Sequence, residues 1–583
     1  MAALPDRSHG EREPRSRHDA VCRSPARNRL GPAHGRAGVL LPRRQAPELP
    51  LLDPVGPRHP RRPARRLRPR RLVPIAHTGF LGPVRSGRRR LGASRLPLLR
   101  EGRASPADAR RPRRGSRALP RRTHRGPRVT LLGADRLLAP LRQALRDVPA
   151  DEADIHVHRR RAAITRYSHS SIHQNAVSDE THATVRAIVA KAVGIVTMNS
   201  LEPSDLRRAL TEAASLARAS RPDDEWPGVA DPEPIAAPSS FHEETAATTP
   251  EAQANSIGAV CAAVPKSMRA AGTAQIEVTE DAVANTRGVA AYAPATMAYL
   301  RALVQSDTYV GSGYAEDLSM RVDGLHPETI AARAAEKCAL DRDRIQLAPG
   351  DYEAVFEELA VAEVLRVMSL TGLGGQSVRE GRSFMTGRIG ERVTGESFTL
   401  VDHAMDARTI AVPFDVEGTP RQKVMLVERG LARGPVYDRT SAKAMGARST
   451  GHAADPSRYA AGGHAGHLAL AGGPATREQL IGSVRRGVLI TRFHYTNTPD
   501  PRAATMTGTT RDGTFLIVDG KITRALANVR YTMSALDLFA GIDLLGPQRL
   551  ARDWWSSNGM GSILCLVPPI KVRRATITGS SPL

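Results

Sequence analysis

The basic charge of this chain is concentrated in its first 128 residues, and this asymmetry constrains what the rest can be. Those residues contain 34 arginines, no lysine and eight acidic residues. The other 455 residues carry 50 basic and 51 acidic side chains, so they are close to neutral. The isoelectric point of about 10.9 therefore does not describe the surface of a folded body, and nucleic acid is an unexpected partner of residues 129–583.

Residues 1–128 are predicted to be a disordered, Arg/Pro-rich extension. They hold 19 of the 43 prolines and a single aromatic residue, Phe80. Such a composition cannot bury enough apolar surface to offset the entropy of the chain. One interpretation is a basic arm that binds nucleic-acid phosphates. The other is GC-rich DNA translated out of frame upstream of a misassigned start, which the complete absence of lysine favours.

The remaining residues are numerous enough for two or three domains with cores of their own. No stretch approaches the ~18 apolar residues of a membrane-spanning helix, so no membrane is expected. The cysteines are widely scattered and form neither a disulfide framework nor a cysteine-rich zinc site: Cys22, Cys261, Cys338 and Cys565. A cytoplasmic protein is the best match to this pattern.

Residues 129–346 are predicted to form an N-terminal α/β domain built from two similar units. Apolar spacing predicts a helix over 132–147 and another over 257–271, with a kink at Pro265. Strands are predicted from Ile155 and again from Ile276. Each is followed about 50 residues later by the start of a helix, so the pattern repeats after about 120 residues.

Residues 347–583 are predicted to be a β-rich domain of barrel or sandwich type. A strand at 352–356 precedes a helix over 358–369, and two hairpins follow later in the chain. Their turns contain Arg429-Gly430 and Asp519-Gly520, in which glycine tolerates the positive φ that a tight turn requires. The overall fold class is therefore α+β.

Several motifs resemble the TldD/PmbA family of bacterial proteins, and they follow one another in that family's order. They occur at residues 377–393 (SVREGRSFMTGRIGERV), 413–418 (PFDVEG), 449–452 (STGH), 487–492 (GVLITR) and 507–517 (TGTTRDGTFLI). The resemblance covers most of residues 129–583. It implies a cytoplasmic two-subunit metallopeptidase that cleaves unfolded peptides within an enclosed cavity. In that family the TldD-type subunit carries a His-Glu-x-x-x-His zinc helix, and the TldE/PmbA-type subunit has the same fold without it.

This sequence departs from the zinc motif that the resemblance would require. Ungapped alignment from the strand before the helix places Arg366 at the first histidine of the motif, Val367 at the glutamate and Thr371 at the second histidine. Residues 327–402 contain no histidine. Arginine stays protonated and valine has no titratable group. We therefore expect no catalytic residue and no metal on this chain, with zinc on a TldD-type partner. Cys565, near the late ligand of the family, is interpreted as a buried strand residue.

Two further groups of residues are candidate sites. His464 and His467 form a close histidine pair, but catalytic zinc needs three protein ligands, so a Gly-rich loop is the simpler interpretation. Five arginines could hold peptide carbonyls or a terminal carboxylate in a cavity, or form ion pairs at a domain or subunit interface: Arg379, Arg382, Arg388, Arg492 and Arg511.

The leading hypothesis is a TldE/PmbA-like subunit, not catalytic on its own, that binds unfolded peptides through an open sheet edge. Its partner would be a TldD-type subunit or a second copy of the chain. One alternative is a self-sufficient hydrolase that uses His464, His467 and a carboxylate such as Asp455. The other is a nucleic-acid-binding protein that acts through the basic arm.

Overall fold

The computed structural model describes residues 131–582, apart from residues 238–239, 309, 457–461 and 553–562. The extension predicted to be disordered, residues 1–128, lies outside the described residues. The first half contains α1 (Ala134–Ala144), β1 (Glu152–Ser168), β2 (Ser171–Val189), β3 (Ala192–Met198), α2 (Pro203–Ala219), α3 (Glu243–Ala246), α4 (Pro250–Ala263), β4 (Met268–Asn285), β5 (Ala290–Ser306), β6 (Ser312–Ser319) and α5 (Pro327–Leu340).

The second half is richer in strands. It contains β7 (Gly350–Phe356), α6 (Glu358–Gly372), α7 (Gly375–Arg379), β8 (Leu400–Asp402), β9 (Val424–Glu428), β10 (Leu431–Ala432), α8 (Arg439–Ala444), β11 (His467–Leu470), α9 (Arg477–Gly482), β12 (Arg486–Asp500), β13 (Thr505–Val518), β14 (Lys521–Ala525), β15 (Val529–Ser534), α10 (Ala535–Ala540), β16 (Ile542–Leu545), β17 (Arg549–Arg552), β18 (Leu564–Val567) and β19 (Ile570–Ser580). The mixed α and β fold class is confirmed, whereas the domain boundary at 346/347 stays a prediction.

A six-stranded antiparallel sheet, in the order β3-β2-β1-β4-β5-β6, organises the first half. Because side chains alternate between the faces of a strand, Ile155 and Val157 pack under α1 and α2. His156 and His158 point to the opposite face, together with residues of the second half. The sheet thus has an apolar face covered by helices and a polar face that meets the second half of the chain.

The duplication predicted from the sequence is visible in the fold. Each unit runs helix, three strands, helix, and the two units meet where β1 pairs with β4. A Cβ atom on Gly194 in β3 would lie 1.9 Å from the carbonyl oxygen of Ala213 in α2. In β6 and α5 the matching distance, from Gly313 to Ala334, is 2.1 Å. In both units, therefore, a strand glycine allows the last helix to pack closely against the sheet.

The predicted helix over 257–271 is wrong at both ends. Helix α4 covers Pro250–Ala263, and β4 begins at Met268. Val264 is already extended, with φ −84° and ψ 133°. Proline disfavours the helical conformation in the residue before it, so Pro265 ends the helix rather than kinking it.

The second half contains a closed five-stranded barrel, which decides between the barrel and sandwich alternatives. The order β12-β7-β19-β15-β13 closes on itself because β13 also pairs with β12. Strands β7 and β12 are parallel, and the other barrel pairs are antiparallel. Phe493 packs inside against Phe356 and Tyr531, with ring centroids 5.5 and 4.3 Å away.

A second sheet, in the order β10-β9-β8-β11-β18-β17, lies beside the barrel and shares its core with α6. Cys565 is fully buried in β18, as predicted. Both predicted hairpin turns are confirmed: φ is 46° and 77° at Arg429-Gly430, and 48° and 73° at Asp519-Gly520. In the described part of the chain, no helix has the length and apolar character needed to cross a bilayer.

Candidate functional site

A cavity of about 250 Å³ lies between the polar face of the first sheet and the second half of the chain. Its sheet side carries His156 and His158 from β1 and Asp281 from β4. The opposite side carries polar residues that surround the start of β11. The cavity lining includes His156, His158, Glu277, Asp281, Met297, Ile410, Phe414, Asp415, Arg421, Asp455, His464, Gly466, His467 and Leu564.

Asp402, at the end of β8, is fully buried behind this cavity and holds its polar side together. Its carboxylate accepts hydrogen bonds from His452 Nε2 at 2.9 Å and Arg421 Nη2 at 3.2 Å. The backbone N–H of His467 donates a third at 3.0 Å. Burial alone would raise the pKa of Asp402, but His452 and Arg421 lower it well below its usual range. Asp402 is therefore a buried carboxylate that fixes the guanidinium of Arg421.

The two predicted histidines lie in this cavity and are neutral at neutral pH. Burial and the charge of Arg421 lower the pKa of His467 to about 3 and that of His464 to about 4. The ring of His467 accepts from Arg421 Nη2 through Nδ1 at 3.4 Å. Its Nε2 donates to the carbonyl oxygen of Ile410 at 3.1 Å, which fixes the tautomer of His467.

The sheet side of the cavity has its own charge arrangement. Asp281 contacts His156 Nε2 at 3.2 Å and His158 Nδ1 at 2.9 Å through the same carboxylate oxygen. Burial would raise the pKa of Asp281, but the two histidines lower it below its usual range. Asp415 differs, because burial and the nearby charge of Glu417 raise its pKa to about 7.

Asp455, the carboxylate named for the hydrolase hypothesis, lines the same cavity as His464 and His467. It also contacts His182 Nε2 at 3.4 Å and accepts from Thr184 Oγ1 at 3.2 Å. Among the described residues, no group of three or more His, Cys, Asp or Glu side chains is placed to hold a metal. Metal binding by the histidine pair stays an untested prediction.

The positions that match the family's zinc motif lie on α6, where they make local contacts. Arg366 forms an ion pair with Glu363 at 3.1 Å, one turn earlier on the helix. Val367 is 3% exposed and belongs to the hydrophobic core. Thr371 donates from Oγ1 to the carbonyl oxygen of Val367 at 2.7 Å. Each of these side chains is thus engaged within the helix or in the packing beneath it.

Three of the predicted arginines follow α6 in the chain and lie near the surface. Arg379 is exposed at the end of α7. Arg382 donates to Glu380 at 2.7 Å from its Nε. Arg388 lies 3.7 Å from Glu391. None of the three belongs to the described lining of the cavity.

The other two arginines lie on the barrel strands β12 and β13. Arg492 donates to Asp512 at 2.8 Å and stacks over the ring of Tyr314, 4.6 Å from its centroid. Arg511 donates to His494 Nε2 at 2.8 Å. The structure therefore does not gather the five arginines into one place, and the arginine on the described cavity wall is Arg421.

The motifs in the sequence did not single out Arg421, which lines the cavity, or Asp402 and His452, which lie outside its described lining and hold Arg421 in place. A signal was available, because two of the resemblance motifs form part of this region. Residues 413–418 supply Phe414 and Asp415 to the cavity wall, and residues 449–452 end in the histidine bound to Asp402. These motifs are separated in sequence but meet in the region of one cavity. This convergence makes the cavity the candidate site.

Comparison with known proteins agrees with this architecture. Residues 349–579 match the model of the PmbA/TldA metallopeptidase C-terminal domain. The domain that residues 349–579 form belongs to the TldD/PmbA family. The resemblance recognised in the sequence motifs is thereby confirmed, and the matched range contains the barrel, α6 and most of the cavity's polar wall.

Relatives and solved structures extend this assignment. The chain is similar to a metalloprotease TldD homologue of Buchnera aphidicola. The two are 28% identical over 33% of this chain and 38% of that protein. An uncharacterized protein of Methanocaldococcus jannaschii is 33% identical over 17% of this chain and 24% of its own length. The chain thus spans well under half the length of these relatives.

The crystal structure of TldE from Thermococcus kodakarensis superposes with a TM-score of 0.67 at 21% identity, over 76% of this chain and 99% of that one. At that level of identity the likeness establishes the fold. Both units of the first sheet and the barrel are thus features of a known architecture.

Proposed function

We propose that this chain is a TldE/PmbA-like subunit that assists a TldD-type metallopeptidase by binding extended peptide, without zinc chemistry of its own. The observation that carries the proposal is the set of side chains on α6. Arg366 is held by Glu363, and Val367 is packed in the core. Neither can ligate zinc or activate water for hydrolysis. Zinc is therefore assigned to the partner.

An open strand edge on β2 supports the peptide-binding part of the proposal. Strand β3 pairs with β2 only at Ala183–Val189, whereas β1 pairs with β2 along its whole length. Residues 171–180 are exposed except for one intermediate position. The exposed fractions of Ile172 and Val177 are 42% and 49%. An extended peptide can join such an edge through backbone hydrogen bonds and contact these apolar side chains.

The register identifies which backbone groups of β2 are available for pairing. Thr286 donates to the carbonyl oxygen of Ala153, so the backbone groups of Ala153 point towards β4. Backbone groups alternate in direction along a strand, and even-numbered residues of β1 therefore point towards β2. Because even residues of β1 pair with even residues of β2, the backbone groups of Val177 point away from β1.

A proline at position 177 tests the edge without removing a hydrogen bond between β1 and β2. Val177→Pro deletes one outward N–H, while the matched control Val177→Thr keeps that N–H and the branched side chain. We expect the proline variant to co-purify with a TldD-type partner as well as the wild type does, and to lower cleavage of an unfolded peptide. Equal cleavage by both variants would exclude a role for this edge.

The subunit role has a separate test. The chain and a TldD-type protein from the same source are expressed together, and the mass of the purified complex distinguishes a heteromeric assembly from a homodimer. Peptide cleavage is then measured with and without this chain. Cleavage that is unchanged when the chain is omitted would contradict the proposal, as would zinc bound to the chain in the absence of the partner.

A second candidate function is a self-sufficient hydrolase, which the shared location of His464, His467 and Asp455 favours. The neutral ring of His464 can accept a proton at neutral pH, as a general base must. Hydrolysis of peptides by the isolated chain, lost in His464→Ala and retained in the surface variant His326→Ala, would support this function over the first.

A further inference from the structure

The cavity between the first sheet and the second half contains chemistry that the proposed subunit role does not use. We propose that it binds a small organic carboxylate with an apolar body, and that Arg421 holds the carboxylate. This site is distinct from the open edge of β2. It requires no partner, so it can be tested on this chain alone and can fail without affecting the proposed assembly.

Arg421 is the residue that defines the ligand's charged end. Its side chain is only 8% exposed. Its Nη2 atom donates to Asp402 and to His467 Nδ1, whereas the buried Nε has no hydrogen-bond partner among the described residues. A guanidinium has five N–H donors in one plane. A carboxylate arriving through the cavity would accept a charge-assisted hydrogen bond from one of the remaining donors.

The acidic residues of the cavity wall are already engaged, so their repulsion of an anion is reduced. Glu277 lies 2.7 Å from Arg160 Nη2, and Asp281 is bound by two histidines. Asp455 contacts His182 and Thr184. Asp415 accepts three backbone N–H groups, from residues 417, 419 and 453. Arg421 is in contrast a cation whose donors are only partly used.

The rest of the cavity wall indicates the size and polarity of the uncharged part of the ligand. Apolar side chains line the same cavity as Arg421: Met297, Ile410, Phe414 and Leu564. A volume of about 250 Å³ corresponds to roughly eight water molecules at about 30 Å³ each. That space accommodates one or two amino-acid residues with an apolar side chain. The ligand class is therefore a small apolar acid, either free or as the C-terminal residue of a peptide.

Isothermal titration calorimetry on the full chain tests the charge requirement. The probes are N-acetyl-L-leucine and N-acetyl-L-leucinamide, which differ only in the carboxylate. We expect the acid to bind at least about tenfold more tightly than the amide, because the neutral amide cannot form an ion pair with the guanidinium. Equal binding of the two, or no binding of the acid at millimolar concentration, would overturn the proposal.

A cavity-filling variant tests the location and leaves the Arg421–Asp402 contact in place. A Cβ on Gly466, in the cavity wall, has no heavy atom within 4 Å. Gly466→Val is expected to weaken binding of N-acetyl-L-leucine at least about tenfold by occupying the ligand's space. Gly579→Val, which also places its Cβ in open space but lies outside the described cavity wall, is the matched control. Unchanged binding by Gly466→Val would exclude this cavity.

A peptide probe then distinguishes the two sources of the carboxylate. The probe is an acetylated pentapeptide that ends in leucine, compared with N-acetyl-L-leucine in the same titration. Tighter binding of the pentapeptide would assign the site to peptide C-termini, and tighter binding of the single residue would assign it to free small acids. Loss of either interaction in Gly466→Val is required in both cases.

Discussion

The two units of the first sheet have equivalent strand edges, but the described residues cover only one of these edges. In the first unit, β3 begins to pair at Ala183 and leaves the preceding part of β2 exposed. In the second unit, β6 begins to pair at Ala298. The preceding part of β5 has no exposed residue, and Thr296 donates from its backbone to the carbonyl oxygen of Ser240 at 2.9 Å.

This difference shows how a duplicated unit can acquire two roles. The edge of the second unit also contains Pro294, which has no N–H to offer a further strand. Phe414, from the second half, packs close by in a cluster with Ala291. One copy of the edge is thus used inside the chain and lines the cavity, while the other copy can accept a partner or a peptide.

The second unit also contacts the second half through a buried ion pair, and this pair gives the largest expected effect. Lys337 of α5 lies 2.5 Å from Glu357, and both side chains are at most 5% exposed. Glu357→Gln leaves the ammonium of Lys337 without its counter-charge, which costs about 3–5 kcal/mol. The free energy of unfolding, measured with urea at pH 7, should fall by that amount.

Glu336→Gln is the control for this measurement. Glu336 is 47% exposed and forms a surface ion pair with Arg477 at 3.2 Å. Exposed pairs contribute about 0–1 kcal/mol, so this variant should be close to wild type. If the two variants lose the same stability, the pair between Lys337 and Glu357 does not join the second unit to the rest of the chain.

The same contact predicts a dependence of stability on acid pH. Burial would raise the pKa of Glu357, but Lys337, Arg333 and Arg477 lower it to about 2. A folded-state pKa below the unfolded value of about 4.3 stabilises the fold at higher pH, and the stabilisation is lost as the pH falls from about 4.3 towards 2. The loss is roughly 3 kcal/mol for such a shift.

Urea unfolding of wild type and Glu357→Gln between pH 6 and pH 2 isolates this contribution. The difference in unfolding free energy between the two proteins should shrink as the pH falls, because protonated Glu357 is as neutral as glutamine. A difference that stays constant over the whole range would show that another group controls the acid response.

Local chemistry explains which parts of the fold could be predicted from the sequence. Turns such as Asp519-Gly520 are encoded by two adjacent residues, and both predicted hairpins form. The end of α4 depends on a single proline, but the exact residue at which the helix ends could be determined only from the structure. The barrel also requires β7 to pair with β12, and these two strands lie far apart in sequence. No local pattern specifies such a pairing, so barrel and sandwich could not be distinguished.

The candidate site was harder to predict for the same reason. His464 and His467 are close in sequence and were selected for it. The roles of Asp402 and Arg421 could not be predicted, because their contact forms only in the folded core, where β8 meets the loop before β9. The five predicted arginines were selected by residue type, and their contacts are with nearby acidic or carbonyl groups and with rings rather than with one shared cavity.

The strand glycines test whether the two units remain equivalent in their packing. A methyl group on Gly194 or Gly313 would lie about 2 Å from a helix carbonyl oxygen, so the helix must move away from the sheet. Each Gly→Ala variant should lose about 2–3 kcal/mol of unfolding free energy, as overpacked sites do.

Gly258→Ala is the control for the glycine pair. A Cβ at this position of α4 meets no heavy atom within 4 Å, and alanine favours a helix by up to about 1 kcal/mol over glycine. Its unfolding free energy should be unchanged or higher. A large loss for only one of Gly194→Ala and Gly313→Ala would contradict equivalent helix seating in the two units.

The smallest expected effect concerns the stability of the open edge itself. Val177→Pro removes an N–H that points away from β1, so the unfolding free energy should change by less than about 1 kcal/mol. Ala176→Pro, one residue earlier, removes an N–H that points towards β1 and should cost about 1–3 kcal/mol, because a ladder hydrogen bond is lost. Urea unfolding of both variants compares the two sides of one strand. Equal losses would mean that the outer side of β2 is already paired, and the contrast between the open edge of the first unit and the covered edge of the second would then disappear.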